Sequence, residues 1–595
     1  MFDDTKVERS IMDIKVWSEN AKNGTLILIV NKNGKEFRLN STYQPEKEAE
    51  RFAIQYKELE KGSIVIVFGY ANGIFPAALN VACKDSADII YYEPSAEIVK
   101  ESNLQKEEEL EVATIQYVLP LNDISQKNVF SLEQFPELLD RLINVTNYKK
   151  VQIIILPKYR ELFPDEYEAF YKTVQYHVQK IQMNIATAKG MGYSAVVNNI
   201  RNLSHLENSY CSDSFVGMFP KNMPAIIVSA GPSLEKNVTV LKNAKNHALI
   251  ICVDSAAKYL MKHEIQPDIL VSVDPQKPLN LFEDDRLDGI PIIASTDSNY
   301  KIFEKIPRSG IIFASTENEY VQNLYRQTGH DIHRLKSGGS VATFAFSLCI
   351  QWGFQTIILI GQDLALADMQ RYAGRERQEL EGIELIEVPD IYGNPTYTVR
   401  DYYYYLKWFE EELALYPDVR VIDATEGGAK IRGTEIRTLQ NAVDECCTKS
   451  VQYEFSIKNF QPAFSVEQKK KVHNQIVESG IILKAFYNEL EIAMKQAAYM
   501  CDLEKKGMHT SVPGRKMHEE LLAVCNRYNG MKESFFIQRL IDAEYLEEFM
   551  GLFQENSNLT LGQYGKLQRY FEILRVATDK IIQEWDASVD DWSKE

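Results

Sequence analysis

The chain is short of positive charge: 66 lysines and arginines stand against 84 aspartates and glutamates, a formal net charge of −18. That balance repels nucleic-acid phosphates and leaves no basic footprint, so nucleic acid is not an expected partner. No run of about 18 apolar residues occurs, and Met1-Phe-Asp-Asp-Thr-Lys6 has neither the basic start nor the apolar stretch of a secretory signal, so membrane insertion is not expected and the cytoplasm is the expected location. Cysteine is sparse, with eight residues at 83, 211, 252, 349, 446, 447, 501 and 525 and no Cys-x-x-Cys pair. A zinc framework is thereby excluded, and reduced, mostly buried thiols are expected. Internal repeats and low-complexity stretches are also lacking. The 595 residues, 45% hydrophobic and 25% charged, are those of an ordinary globular protein too long for one core, and about three domains are expected.

The informative residues lie mid-chain. The apolar strand Pro224-Ala-Ile-Ile-Val-Ser229 runs into Ala230-Gly-Pro-Ser-Leu234, a turn that points unpaired backbone N–H groups at one place and so suits a phosphate. Ala248-Leu-Ile-Ile-Cys-Val-Asp254 ends in a carboxylate about 20 residues further on, the spacing at which an acid meets a ribose hydroxyl in dinucleotide folds. Asp254 before Ser-Ala-Ala-Lys reads equally well as a helix cap. Ile269-Leu-Val-Ser-Val-Asp274 delivers a second strand-end aspartate, Lys336-Ser-Gly-Gly-Ser340 opens a helix, and Thr356-Ile-Ile-Leu-Ile-Gly361-Gln-Asp363 finishes at a polar pair. In a parallel sheet those ends share one crevice, which predicts a nucleotide site.

Ser229-Ala-Gly-Pro-Ser-Leu234, Val271-Ser-Val-Asp-Pro275, Ser337-Gly-Gly-Ser340, Gly361-Gln-Asp-Leu-Ala365 and Ala424-Thr-Glu-Gly-Gly-Ala429 together resemble the motility accessory factor (Maf) family over roughly residues 60–440. The resemblance implies a glycosyltransferase that moves a nonulosonic acid, of the pseudaminic or legionaminic type, from its CMP-activated form to Ser or Thr of flagellin. The same turns are similar to those of bacterial sialyltransferases. By that likeness Gly231, Pro232 and Ser233 face the donor phosphate, Ser337, Gly338 and Gly339 hold the cytidine or the sugar carboxylate, and Asp254 sits near the nucleotide; Ser229, Ser340 and Gln362 complete the donor site. Two departures stand out. Ala230 replaces the asparagine of those sialyltransferases, and none of the nine histidines falls between Gln362 and Arg437, so the family's lid histidine has no counterpart. A rival with the same core is the archaeal 6-hydroxymethyl-dihydropterin pyrophosphokinases, in which Asp254 and Asp274 become magnesium carboxylates. A non-catalytic flagellin-binding chaperone is the third reading. Beyond the CMP-sugar donor no cofactor is firmly implied, with Mg2+ an admissible ion, and a homo-oligomer stays open.

Transfer from a nucleoside monophosphate separates charge, so oriented donors at Gly231, Ser233 and Ser340 are expected to steady the leaving phosphate. A base for the acceptor hydroxyl is worth about a hundredfold to ten-thousandfold. Asp274 and Asp363 are the candidates, Asp274 slightly favoured, although a cap, metal or ribose contact explains Asp274 as well. Tyr372, Tyr392 and the run Asp401-Tyr-Tyr-Tyr-Tyr405 offer hydroxyls, or a helix face packed on the sheet. The polar stretch from Ala367 to Thr398 reads as a lid or acceptor loop, with Arg371, Arg375 and Arg377 as carboxylate partners or solvated loop residues.

Residues 25–40 read as a hairpin turning at Asn33-Gly34. Ser63–Phe68, Gly69-Tyr-Ala-Asn-Gly73 and Ile89–Glu93 form a second strand, glycine turn and acidic strand end, read as a scaffold in preference to a second catalytic site. Pro164 opens a long helix, and helical stripes run through Val472–Ala497 and Leu567–Trp585. The expected architecture is α/β: an N-terminal Rossmann-like domain (1–160), bridging helices (161–204), a central Rossmann-like glycosyltransferase domain of sialyltransferase-like GT-A variant type (205–440), and a C-terminal all-α domain (441–595).

Overall fold

The computed structural model describes residues 14–102, 135–305, 310–314, 318–327, 329, 332–366, 384–448, 453–553 and 562–592. The chain divides into two compact units, Met1–Thr187 and Ala188–Glu595.

In the first unit, β1 (Ile14–Asn20), β2 (Leu26–Lys32) and β3 (Lys35–Arg38) form an antiparallel meander. Asn33 and Gly34 both take positive φ at the β2–β3 turn, the backbone that a two-residue hairpin loop requires. The strands β4 (Ser63–Phe68), β5 (Ala87–Tyr92) and β6 (Val151–Ile155) make a parallel sheet in the order β5-β4-β6. β4 is buried along its whole length, as its unbroken apolar run demands. At the glycine turn after β4, Glu93 accepts the N–H groups of Tyr70 (2.9 Å), Ala71 (3.2 Å) and Ser95 (3.1 Å) and the Tyr159 hydroxyl (2.5 Å). The Tyr159 ring lies where a Cβ on Gly69 would be, 2.8 Å away. The donors that would greet a cofactor phosphate are therefore used inside the unit, which fits a scaffold.

The second unit is built on a nine-stranded sheet. Its strands are β7 (Tyr210–Cys211), β8 (Ala225–Val228), β9 (Leu249–Val253), β10 (Ile269–Val271), β11 (Ile292–Ala294), β12 (Ile311–Phe313), β13 (Thr356–Ile360), β16 (Arg420–Asp423) and β17 (Glu435–Ile436); the hairpin of β14 (Leu385–Pro389) and β15 (Pro395–Val399) is inserted between β13 and β16. All nine pair in parallel, in the order β17-β16-β13-β8-β9-β10-β11-β12-β7. β8, β9, β10 and β13 are buried nearly throughout, and each fully covered Ile, Leu or Val contributes about 1.5–3 kcal/mol. From β8 the chain steps outward through β9, β10, β11 and β12; it then returns to place β13 on the other side of β8 and continues to β16. The winding direction thus reverses between β8 and β13, and the loops leaving their carboxyl ends must part there, which is where doubly wound sheets bind ligands.

After Thr438 the chain is helical, with Val466–Lys505, Val512–Gly530 and Gln563–Trp592 the longest helices. Ser465 opens the first with a capping box shared with Gln468. These helices share one hydrophobic core with the sheet: Tyr320 packs edge-on against Phe536 and Trp585, and its hydroxyl begins a buried chain through Ser479 to Glu533.

Candidate active site

At the switch point the Gly-Pro-Ser turn and the Gly361-Gln-Asp363 turn close on each other. Ser229 N–H donates to Ile360 O (2.9 Å) and Gly231 N–H to Gly361 O (2.7 Å), so hydrogen bonding continues past the ends of β8 and β13. Asp363, 4% exposed, accepts the Ser233 N–H (3.1 Å) and the Ser233 hydroxyl (2.6 Å). The Ser229 hydroxyl donates to Gln362 Oε1 (2.6 Å). A Cβ on Gly231 would lie 1.9 Å from Asp363 Oδ2 and 2.5 Å from Gly361 O, so the approach requires glycine. Burial pushes the Asp363 carboxyl up to about 6, against the opposing effect of the Ser233 bonds. The Gly231 and Ser233 N–H groups of the turn are thus directed inward onto the protein.

A third turn, Ala424–Ala429, crowns the same point. Gly428 is at φ +80°, and a Cβ there would lie 2.2 Å from Asp363 O; Ala429 N–H donates to that same carbonyl (2.7 Å). Glu426 is tied down through Asn237 (3.0 Å) and Leu439 N–H (2.9 Å), while the Lys236 ammonium reaches Glu426 O (3.0 Å). Asp423, at the end of β16, accepts Thr425 N–H (3.1 Å) and is also raised to about 6 by burial, with the charge of Asp363 adding to the effect.

Two strand steps from β8, roughly 10 Å at the usual spacing, the turn after β10 carries Asp274. Its Oδ1 accepts Gln276 N–H (2.8 Å) and its side chain is 29% exposed. Asp254, at the end of β9, is fully buried: Ser272 donates to it at 2.8 Å and Lys277 Nζ stands 2.9 Å from its Oδ1. Burial raises its carboxyl, opposed chiefly by Lys277. The same ammonium is 3.6 Å from Asp274. With a protein cation already between them, Asp254 and Asp274 do not fit a magnesium pair. Among the described residues no three His, Cys, Asp or Glu side chains gather as around a metal ion. The turns after β10 and β11 are held by amides: Asn198 Nδ2 donates to Pro275 O and Asp297 O (both 2.9 Å), Asn202 Nδ2 to Thr296 O and Ser298 O (both 2.8 Å), and Gln276 Nε2 to Gly190 O (3.0 Å) and Ser194 (3.1 Å).

The Ser337–Ser340 turn opens the helix Val341–Trp352, which packs on β8 and β9 and leads back to the start of β13, so its N-terminus lies at the carboxyl edge. Ser340 and Thr343 form a capping box, and Gly338 N–H also donates to the Thr343 hydroxyl (3.1 Å). Gly338 is pressed against Trp408, where a Cβ would come to 2.4 Å of the indole, and Gly339 has φ +88°. Trp408 lies on the helix Arg400–Leu415, which bears the tyrosine run. Tyr404 is buried and its phenol raised to about 12, whereas Tyr392 stands exposed on the β14–β15 hairpin. That hairpin is tied to the switch point by Thr398 to Leu364 O (2.7 Å), Leu366 N–H to Tyr397 O (2.9 Å) and Ile391 N–H to Gly428 O (3.2 Å). Tyr372, Arg371, Arg375 and Arg377 lie outside the described residues. Sequence reasoning gave no role to Lys277, Asn198, Asp423 or Trp408; Asp423 alone carried a readable signal, as an aspartate ending an apolar strand.

A doubly wound parallel sheet whose polar turns gather at its switch point defines a Rossmann-like α/β protein. Residues 197–369 match the family model described as 6-hydroxymethylpterin diphosphokinase MptE-like. The fold of the chain is similar to the solved structure of the MAf glycosyltransferase from Magnetospirillum magneticum AMB-1, with 14% identity, a TM-score of 0.51, and 97% of this chain and 92% of that chain covered. No curated protein matches the sequence. Among the described residues no helix is long and apolar enough to cross a membrane.

Proposed function

We propose that this chain is a cytoplasmic glycosyltransferase that moves a nonulosonic acid from a CMP-activated donor to Ser or Thr of flagellin. The observation that carries the reading is the likeness in fold to a Maf glycosyltransferase across 97% of the chain, including the helical region that a small-molecule kinase has no evident use for. The cytidine donor lies across the β8–β13 switch point, against Ser229, Gly231, Pro232, Ser233 and Gln362, with Ser337, Gly338, Gly339 and Ser340 on the neighbouring turn. Asp254 acts from below, through Lys277. Asp274 is the general base: it is open to solvent on the rim, whereas both oxygens of Asp363 are committed to Ser233. Asp363 then fixes the Gly-Pro-Ser turn. In the step itself the acceptor oxygen bonds to the anomeric carbon as the bond from that carbon to the phosphate oxygen breaks; the electron pair leaves with CMP and the hydroxyl proton goes to Asp274.

The match of residues 197–369 to an MptE-like model supports a second reading, diphosphate transfer from ATP to a hydroxymethylpterin. Incubating the purified chain with flagellin and CMP-pseudaminic or CMP-legionaminic acid, followed by intact-mass measurement, separates the two. Sugar mass added to flagellin is expected. No transfer, with AMP formed from ATP and 6-hydroxymethyl-dihydropterin, favours the kinase; flagellin binding without either reaction favours a chaperone.

A further inference from the structure

An anionic donor needs positive charge, and the switch-point turn does not supply it from its backbone. Gly231 N–H is taken by Gly361 O, Ser233 N–H by Asp363, and Pro232 has none to give. The charge must therefore come from side chains at the carboxyl edge. Among the described residues, Lys236 follows β8, Lys277 follows β10 and Lys336 precedes the Ser337–Ser340 turn. Lys236 is exposed over the Glu426 carbonyl, and Lys336, 62% exposed, leans toward Glu412 at 3.5 Å. Lys277 differs from both. It is 15% exposed, its ammonium is anchored 2.9 Å from the fully buried Asp254, and its carbonyl accepts the Asn299 side chain (3.0 Å). The turn that carries it is pinned by Asn198 and Gln276. A charge held this firmly loses little entropy on meeting a ligand and needs no reorganisation, the condition under which a point charge works best.

Its two carboxylate contacts are unequal. Asp254 is buried and fixed, whereas Asp274, held at Oδ1 by Gln276 N–H, is partly exposed and its Oδ2 stands 3.6 Å from the ammonium, beyond hydrogen-bond reach. We propose that Lys277 is the anion contact of the donor site and that it exchanges partners: an oxyanion of the incoming nucleotide sugar takes its outer face, Asp254 keeps its inner face, and Asp274 is released toward the acceptor hydroxyl. Donor binding thereby prepares the base. The inference rests on the CMP-sugar reading and deepens it by naming the residue that recognises the donor's charge.

The test is calorimetry on the full chain with CMP, cytidine, CMP-N-acetylneuraminate and ATP. Lys277→Met alone would leave Asp254 buried without its cation, a change that commonly unfolds proteins. The variant is therefore Asp254→Asn/Lys277→Met, a neutral pair of similar size. An affinity for CMP at least tenfold weaker, with cytidine unchanged, is expected and assigns Lys277 to the phosphate; the same loss confined to CMP-N-acetylneuraminate assigns it to the sugar carboxylate. Equal affinities in variant and wild type for both ligands overturn the proposal. If the wild type binds ATP and not CMP, and the variant loses that affinity, the cytidine reading falls and Lys277 stands. A wild type that binds none of the four overturns both. Should the double variant not fold, NMR of 13C-aspartate-labelled wild type decides: saturating CMP shifts the Asp274 carboxyl resonance as it leaves Lys277, and an unmoved resonance contradicts the exchange.

Discussion

Gly231→Ala probes the switch point directly. The added Cβ would fall 1.9 Å from Asp363 Oδ2 and 2.5 Å from Gly361 O. The carbonyl belongs to the turn that leaves β13 and accepts Gly231 N–H, so it yields little without loosening the β8–β13 pairing. The Asp363 side chain must move instead, giving up its two bonds to Ser233 while staying in a buried site. Hydrogen bonds to a charged group are worth about 1.5–3 kcal/mol each, so a loss of roughly 3–6 kcal/mol is expected for the two. Gly427→Ala is the matched control: its Cβ would meet Lys236 and Ser233 at an ordinary 3.5 Å and its backbone is not left-handed, so a change within about 0.5 kcal/mol is expected. Because a chain of two units has no single unfolding free energy, the assay is hydrogen exchange of the β8 and β13 amides, which reads local opening. Protection at Ile226–Val228 and Ile358–Ile360 falls several hundredfold or more in Gly231→Ala and stays near wild type in Gly427→Ala. Equal protection in the two variants would refute the close packing of the turns and, with it, Asp363 as their keystone.

Three further outcomes follow from the same site. Asp363 titrates near 6 when folded against 3.8 when unfolded, so the native state holds the extra proton between those values and stability falls as pH rises from about 4 to 6, then levels. Asp363→Asn removes that dependence; measured by hydrogen exchange of the β8 and β13 amides, the variant gains on wild type by up to roughly 3 kcal/mol across the window, and a pH-independent difference contradicts the assignment. Asp274→Asn lowers transfer by about a hundredfold to ten-thousandfold while CMP affinity is kept or tightened; full activity in this variant removes Asp274 as base. Gly338→Ala drives a methyl to within 2.4 Å of Trp408 and costs about 1–3 kcal/mol, read as a shift in tryptophan emission together with weaker CMP binding; unchanged emission is the contrary result.

The strands legible in the sequence were the long apolar ones, because a strand covered on both faces needs no polar alternation: β8, β9, β10 and β13 all fall within runs such as Ala225–Val228 and Thr356–Ile360. β7 and β17 are two residues long, and β11 and β12 three, too short to carry a period; β10, also three, was legible only through the longer run Ile269–Asp274 that contains it. Strand order is a long-range property that no local pattern encodes, so the polar turns at the strand ends were legible and the reversal between β8 and β13 was not. The contacts that define the site join residues far apart in sequence: Ser233 meets Asp363 across 130 positions, and Gly338 meets Trp408 on another helix. The Gly-Pro-Ser turn, read as a phosphate cradle, is filled by the protein's own Asp363, and the Gly69–Gly73 turn, read as a scaffold, is filled in the same way by Glu93. A turn's spacing reveals that its N–H groups converge, and not which acceptor they meet. Lys277 was invisible for a similar reason, since only the burial of Asp254 sets it apart from any surface lysine.

The central claim is that the carboxyl edge around the β8–β13 reversal holds a cytidine nucleotide. Hydrogen–deuterium exchange of the full chain with and without saturating CMP tests it most directly. Slowed exchange concentrated in residues 229–237, 272–277, 336–343 and 361–366 is the predicted result; protection confined to the Gly69–Gly73 turn or to the helices after Thr438, with those four segments unchanged, would contradict it.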